Sequence, residues 1–482
     1  MKPSHASIVA DEVLSDAERV IEGARLTMGG TVVGTVAARD EGLAAANYGE
    51  CFVRDFAVTA AAWLPRGQSE PVACFIRTLA DVQSRTTKVQ GGLRPAEGLM
   101  PASFSIQRDE ADRASIVADF GQRAIGRVVP VDSALWWLMI LRAYQHATGD
   151  TELARSEGVR DAIERILALY LKPQFEMLPS LLVPDGSAMI DRRMGVHGHP
   201  IDVQVLYWAA LRSARKLIGS DHPLQEELFE RLVALGHHLR KDYWLDRARI
   251  EQIRRFPVEE YGPTPRNPWN LHPDAIPAWT MSWLHDDDVG YFAGNLGPSR
   301  LDVHLFMLGN LLAVSTGLAS PQQATAFFDM IELHERDLLG ASGVKLMYPP
   351  LEGRDWHTLT GSDHKNVAWS YHNAGTWPML LWPLASAARA AGRTGLAERI
   401  LAQAAPRICR DGWPEYYDGP YGGLVGRQSR LQQTWSAAAV AAASQLLREP
   451  DRDDPFAFDH DQELEDAISA AEDIPASGEQ RG

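Results

Sequence analysis

Apolar residues recur along this chain at helical spacing, in two kinds of segment that alternate. One kind is amphipathic, with apolar positions on a single face, over roughly 10–26, 68–86, 151–171, 222–241, 320–339 and 393–406. The other begins just after a polar motif and runs on in small or apolar residues, as in Ala60-Ala61-Ala62-Trp63-Leu64. Its starts lie near Arg54-Asp55, Val131-Asp132, Gly198-His199, Leu301-Asp302, Tyr371-His372-Asn373 and Gln432-Gln433. A helix apolar on all sides belongs inside and a striped one covers it, so the second kind predicts inner helices and the first an outer layer. Residues 132–150 show the pattern. Asp132 or Ser133 can cap the first turn, Leu135, Trp136, Met139 and Tyr144 follow at helical spacing, and Gly149 can end the helix.

Six such hairpins predict an all-α fold, an (α/α)6 toroid: a double ring of twelve helices with long rim loops. An open solenoid is the rival. Its repeats should resemble one another, whereas the inner starts here are spaced by about 60 to 100 residues and the linkers differ. In a closed ring the inner helices run parallel, so the polar motifs before them gather at one mouth. Residues 1–450 read as a single catalytic domain, with the Pro-, Trp- and Asp-rich stretch 242–300 as a flap or small subdomain at the rim. Residues 451–482, acidic and without apolar periodicity, read as a mobile C-terminal tail.

Charge narrows the partners. The 482 residues carry 47 basic and 63 acidic side chains, a net charge of −16 with no long Lys/Arg run, which argues against nucleic acid and anionic membrane and suits a small neutral ligand. Three cysteines, Cys51, Cys74 and Cys409, have no metal or disulfide spacing, and no apolar stretch reaches the roughly 18 residues of a membrane span. A cytoplasmic protein is expected, and a homo-oligomer is compatible with these features.

The chemistry concentrates in short islands. Ala188-Met-Ile-Asp-Arg-Arg-Met-Gly195 and Asp411-Gly-Trp-Pro-Glu-Tyr-Tyr-Asp418 each hold a carboxylate among aromatic, arginine and glycine residues. Acid/base cleavage of a glycosidic bond needs a carboxyl group on each side of the linkage, which makes Asp191 and Glu415 the candidate pair. A general acid must stay protonated, and Arg192 and Arg193 would oppose that if they pointed inward. The tension disappears if they face away or pair with carboxylates such as Asp185 and Asp202. Arg54 and Asp55 can donate to and accept from adjacent sugar hydroxyls, although Asp55 could equally cap a helix. Asp132 could hold a hydroxyl and Trp136 could stack on a pyranose ring, although paired tryptophans on a helix are more often core. Arg192, His199, Gln204, Tyr371, His372, Asn373, Trp377, Trp413, Tyr416 and Arg430 complete the candidate lining. His197-Gly-His199 lacks a third metal ligand nearby, Asp286-Asp-Asp288 does not fit a calcium loop, and there is no GxSxG, Walker A or HExxH sequence.

With these residues assembled, the chain resembles the alkaline/neutral invertases, glycoside hydrolase family 100. Phe52-Val-Arg-Asp-Phe56, Ile125-Gly-Arg-Val128, Pro130-Val-Asp-Ser133, Ser187 to Pro200, Gly294-Asn-Leu296, Gly361-Ser-Asp363, Trp369 to Asn373 and Trp413 to Asp418 look like that family's motifs in its order. The resemblance implies an (α/α)6 barrel, no metal or organic cofactor, and hydrolysis of sucrose by attack at the glucose anomeric carbon. It also implies Asp191 as general acid and Glu415 as general base. The usual behaviour of such barrels adds inversion, for which carboxyls about 6.5–9.5 Å apart are expected. Ala134 and Ala374 stand where Gly is usual, and Arg427-Gln-Ser-Arg430 replaces a Lys-Gln-Ala-Arg pattern, so preference for sucrose over another α-glucoside is less fixed than the reaction type. Two other classes are weighed: a sugar epimerase using His199 and His372 as bases, and a non-catalytic sugar-binding protein.

Overall fold

Burial separates the two kinds of helix. Every residue from Ser133 to Tyr144, from Ile201 to Ala214 and from Thr434 to Leu447 is buried. By contrast Asp11–Gly23 buries only Ala17, Val20 and Ile21, and Glu157–Tyr170 buries the stripe Val159, Ala162, Ile163, Ile166, Leu167 and Tyr170. The structure, a computed structural model, describes residues 8–40, 47–85, 95–122, 129–172, 179–183, 188–190, 192–255, 267, 271–297 and 300–473.

In chain order the principal helices are α1 (Asp11–Gly23), α2 (Val53–Trp63), α3 (Glu70–Val82), α4 (Ser133–Thr148), α5 (Glu157–Tyr170), α6 (Ile201–Leu217), α7 (Gln225–His238), α8 (Met307–Ser315), α9 (Pro321–Leu333), α10 (Leu381–Ala390), α11 (Thr394–Arg410), α12 (Thr434–Arg448) and α13 (Gln462–Asp473). The even-numbered helices are the inner ones. α2 packs on α4, α4 on α6, α6 on α8, α8 on α10 and α10 on α12, and α12 returns to α2. Their alanines, such as Ala60 to Ala62 and Ala437 to Ala439, let backbones approach closely. Outside them α1 lies on α11 and α12, α3 on α4 and α5, and α7 on α6.

Local signals behave in part as read. Gly149 adopts φ 71° and donates to the Gln145 carbonyl, ending α4. Asp132 does not cap that helix: its carboxylate is taken by Arg54 instead. α9 opens on a capping box in which Ser320 and Gln323 satisfy each other's backbone N–H groups.

The all-α expectation needs correction, because strands occupy the stretches expected as rim loops. Arg300–Phe306 is a strand paired antiparallel with Gly290–Gly297, so the fourth inner helix starts at Met307 and not near Asp302. Leu301, Val303 and Leu305 alternate with Asp302 and His304, the period-2 pattern of a strand, which a reading for helical spacing passes over. A five-stranded sheet joins Leu339–Gly340, Gly343–Lys345, Thr376–Trp377, Tyr417–Asp418 and Leu424–Val425. Its pairing of Thr376 with Tyr417 brings two distant motifs side by side.

The acidic C-terminal segment is also corrected, since through Asp473 it is folded against the body. Arg142 of α4 donates to the carbonyls of Pro455 and Ala457 at 2.7 Å, and its guanidinium stacks on Phe458. Phe456 is buried against Trp382 of α10. Leu464 and Ile468 of α13 pack on α7, where a Cβ at Gly236 would meet Ile468 Cδ1 at 2.6 Å. Two apolar side chains at i, i+4 are too few to show as periodicity, yet suffice to seat a helix whose Glu465 meets Arg240 at 2.7 Å.

Candidate active site

The loops that lead into α2, α10 and α12 meet around a cavity lined by Tyr48, Phe52, Arg54, Asp55, Ala188, Met189, Tyr371, His372, Trp377, Glu415, Gln433 and Trp435. Glu415 is its central carboxylate. The strand pairing of Thr376 with Tyr417 fixes it beside Trp377, and its backbone N–H donates to the Arg430 carbonyl at 2.8 Å. Tyr48 donates one hydroxyl proton to both Glu415 oxygens, at 3.0 and 3.1 Å. Arg430 lies 4.9 Å from the centre of the Tyr48 ring. Burial pushes the Glu415 carboxyl above its ordinary value, while Lys365, the Tyr48 hydroxyl and Arg430 pull it back. Burial and the neighbouring Glu415 carboxylate hold the Tyr48 phenol well above its ordinary value, so it remains a donor.

Across the cavity, Arg54 Nε donates to Asp132 Oδ2 at 2.6 Å, and Asp55 follows it on the first turn of α2. Burial pushes Asp55 up to about 7; Arg54 opposes this, and Glu415 and Asp132 reinforce it. Near neutrality Asp55 can therefore both donate to and accept from a sugar hydroxyl. Asp132 is buried and reaches the site through Arg54, not as a wall of the cavity.

The segment 369–375 is wound tightly, with Trp369, Tyr371 and Ala374 at φ 66°, 48° and 66° and the Gly375 N–H on the Tyr371 carbonyl. Left-handed backbone at bulky residues is costly and persists where surroundings impose it, a frequent feature of binding sites. The winding lays Tyr371 on His372 with ring centres 3.9 Å apart, and Trp377 stacks on Tyr416 at 5.4 Å. Burial holds the His372 imidazole well below its ordinary value, and Lys365, Arg193 and Arg54 add to that, so it is neutral near pH 7. The result is an aromatic wall beside charged and hydroxyl groups, suited to a polyhydroxylated ring.

Other sequence candidates stand elsewhere. Asn373 uses its amide on the backbone of Leu351 and Asn366, and Gln204 uses its own on both backbone groups of Leu181. Trp413 donates to Asp16 of α1 at 2.7 Å, and Trp136 lies in the core near Trp382. His199 is held by Ser180 at 2.8 Å and is not among the cavity's lining residues. These five build the walls' support. Asp202, expected as a partner for Arg192 or Arg193, instead accepts from the Gly309 N–H at 2.7 Å.

Asp191 lies outside the described residues, as do Asp185 and the side chain of Arg192, whose backbone opens the turn Arg192–Met194. Ala188 and Met189, just before Asp191, line the cavity, and the charge of Arg193 is felt at His372 and Lys365.

Several lining residues, and Lys365 beside them, escaped selection from sequence. Tyr48, Gln433 and Trp435 had a usable signal, since each stands at the entry to an inner helix; Lys365 read as an ordinary loop lysine. Among the described residues no group of three or more His, Cys, Asp or Glu could hold a metal ion, and no helix is long and apolar enough to cross a membrane.

Comparison with known proteins follows the same line. A sequence family described as alkaline and neutral invertase matches residues 17–450. The probable alkaline/neutral invertase A, chloroplastic, of Arabidopsis thaliana is 41% identical over 466 residues, covering 95% of this chain and 74% of that one. Cytosolic invertase 1 of Oryza sativa subsp. japonica is 42% identical, covering 91% and 78%. Among solved structures, a GH63 mannosylglycerate hydrolase from Thermus thermophilus aligns with TM-score 0.56 at 14% identity, over 89% of this chain and 99% of that one. At that identity the likeness speaks for the fold alone.

Proposed function

Because the chain belongs to the alkaline and neutral invertase family of glycoside hydrolases, we propose that it hydrolyses sucrose to glucose and fructose by attack at the glucose anomeric carbon. Glu415 is the general base that deprotonates the water, and Asp191 the general acid that delivers a proton to the bridging oxygen as fructose departs. The glucose is released with inverted configuration. We read the helices as an (α/α)6 toroid whose mouth carries this pair, and the three unbridged cysteines as fitting a cytoplasmic enzyme.

The observation that supports this most is the setting of Glu415: a buried carboxylate with both oxygens on the Tyr48 hydroxyl, facing a cavity that also presents Arg54, Asp55 and an aromatic wall. One side holds a base, and the others supply hydrogen bonds and a stacking surface for a hexose ring. Arg54 and Asp55 bind sugar hydroxyls, and Trp377 and Tyr371 bind its apolar face. A panel of sucrose, trehalose, maltose and a glucosylglycerate-type glycoside with product analysis tests the reading. Equal glucose and fructose from sucrose, faster than cleavage of the others, is expected. Preferred cleavage of another glycoside would replace the substrate, and a sugar isomer formed without cleavage would replace the reaction.

A further inference from the structure

We propose that Lys365 is a positioning residue for this reaction: its ammonium, seated against the faces of Tyr371 and Tyr416, sets the field in which Glu415 takes a proton from water. The inference rests on the reading of Glu415 as general base. Lys365 lies in the short turn His364–Asn366, which is pinned at both ends. Asp363 accepts from the Lys365 N–H at 2.9 Å and from Asn366 Nδ2 at 3.0 Å. Asn366 in turn accepts the His372 N–H at 3.1 Å and an Asn373 amide proton at 3.0 Å. The turn and the wound segment that bears Tyr371 therefore form one unit.

Lys365 Nζ sits 3.6 Å from the centre of the Tyr371 ring and 5.4 Å from that of Tyr416, the residue next to Glu415. A ring face holds a cation without neutralising it, so the ammonium's field still acts on its surroundings. The groups facing Glu415 are Lys365, Tyr48, Arg430 and Asp55. Those facing Lys365 are Glu415, Asp363, Arg193 and Arg430, and His372, stacked on Tyr371, feels Lys365, Arg193 and Arg54. Burial favours a protonated Glu415, which is useless as a base, and Lys365 gives the largest opposing effect. Arg430 adds to it from above the Tyr48 ring.

The test is the pH profile of kcat/KM on sucrose for the full chain, Lys365→Met and Lys365→Arg. If a base must be ionised, losing the ammonium raises its pKa and moves the acidic limb to higher pH. We expect Lys365→Met to move the limb up by about one unit, so that kcat/KM falls by about tenfold at pH values well below the limb and little above it, with KM within about twofold. Lys365→Arg should restore the limb. A limb that stays in place, or a change confined to KM, overturns the proposal. If Lys365→Met does not fold, Lys365→Gln is measured in the same way; failure of both to fold would assign the residue a structural role instead. Absence of sucrose cleavage by the wild-type chain in the same assay would defeat the proposed function, a result separate from any limb shift.

Discussion

Tyr48 shares a single proton between both oxygens of Glu415, and its raised pKa keeps that proton in place, so the carboxylate is held by a donor that does not ionise near neutrality. Removing that donor leaves the buried carboxylate less stabilised. Tyr48→Phe is expected to move the acidic limb of the rate profile to higher pH and to lower kcat by about tenfold, while circular dichroism remains that of the wild type. An unchanged limb would mean the hydrogen bond does not tune the base. At this scale the sequence was informative where a charged or aromatic residue stood in a polar motif at or before an inner helix, as with Arg54, Asp55, Tyr371, His372, Trp377 and Glu415, which line one cavity. It misled where a polar side chain serves the backbone. Gln204 on Leu181 and Asn373 on Leu351 resemble ligand-binding amides in sequence and are anchors in space. Residue type cannot tell an amide that faces a sugar from one that closes a loop.

Between helices, α6 and α8 are joined by a buried carboxyl. Asp202 Oδ1 accepts from Gly309, and a Cβ there would come within 2.6 Å of that oxygen, so the glycine is required by the close approach. Burial pushes the Asp202 carboxyl up to about 7, whereas an unfolded Asp ionises at about 3.9, so the folded chain prefers the protonated form. The stability this gives is complete below about pH 4 and is lost as the pH rises through about 7. Asp202→Asn does not titrate. Its melting temperature relative to the wild type should therefore rise between pH 4 and pH 8, and a difference that stays flat across that range would contradict the assignment. Element type was legible wherever helical periodicity was sustained, so all six amphipathic segments contain helices. At Arg300–Phe306 the signal was of the other kind: Leu301, Val303 and Leu305 alternate with Asp302 and His304, a strand period that helical spacing does not capture. Nor could periodicity reveal Ala374, which adopts φ 66°, a conformation that favours Gly and costs Ala about 1 kcal/mol.

Over the whole molecule, the inner helices close on themselves through contact of α12 with α2, and the chain beyond α12 returns across the far ends of α4, α6 and α10. Phe456 is a buried aromatic anchor of that return, against Trp382. Phe456→Ala should lower the unfolding free energy by about 3 kcal/mol in a denaturant titration, with little effect on KM. A change below about 0.5 kcal/mol would mean the segment is not part of the folded core. An acidic composition hid this, because the arginines that hold the segment come from elsewhere in the chain: Arg142 and Arg212 donate to its backbone carbonyls, and Arg240 pairs with Glu465. The carboxylate pair remains the centre of the proposed function, and its chemistry leaves a mark on the product. Hydrolysis of sucrose in 18O-labelled water, followed by carbon and proton NMR from the first seconds, should show β-glucose first, with the label on its anomeric carbon and none on fructose. Label on fructose, or α-glucose as the first product, would contradict water activated by Glu415 attacking the glucose carbon with inversion.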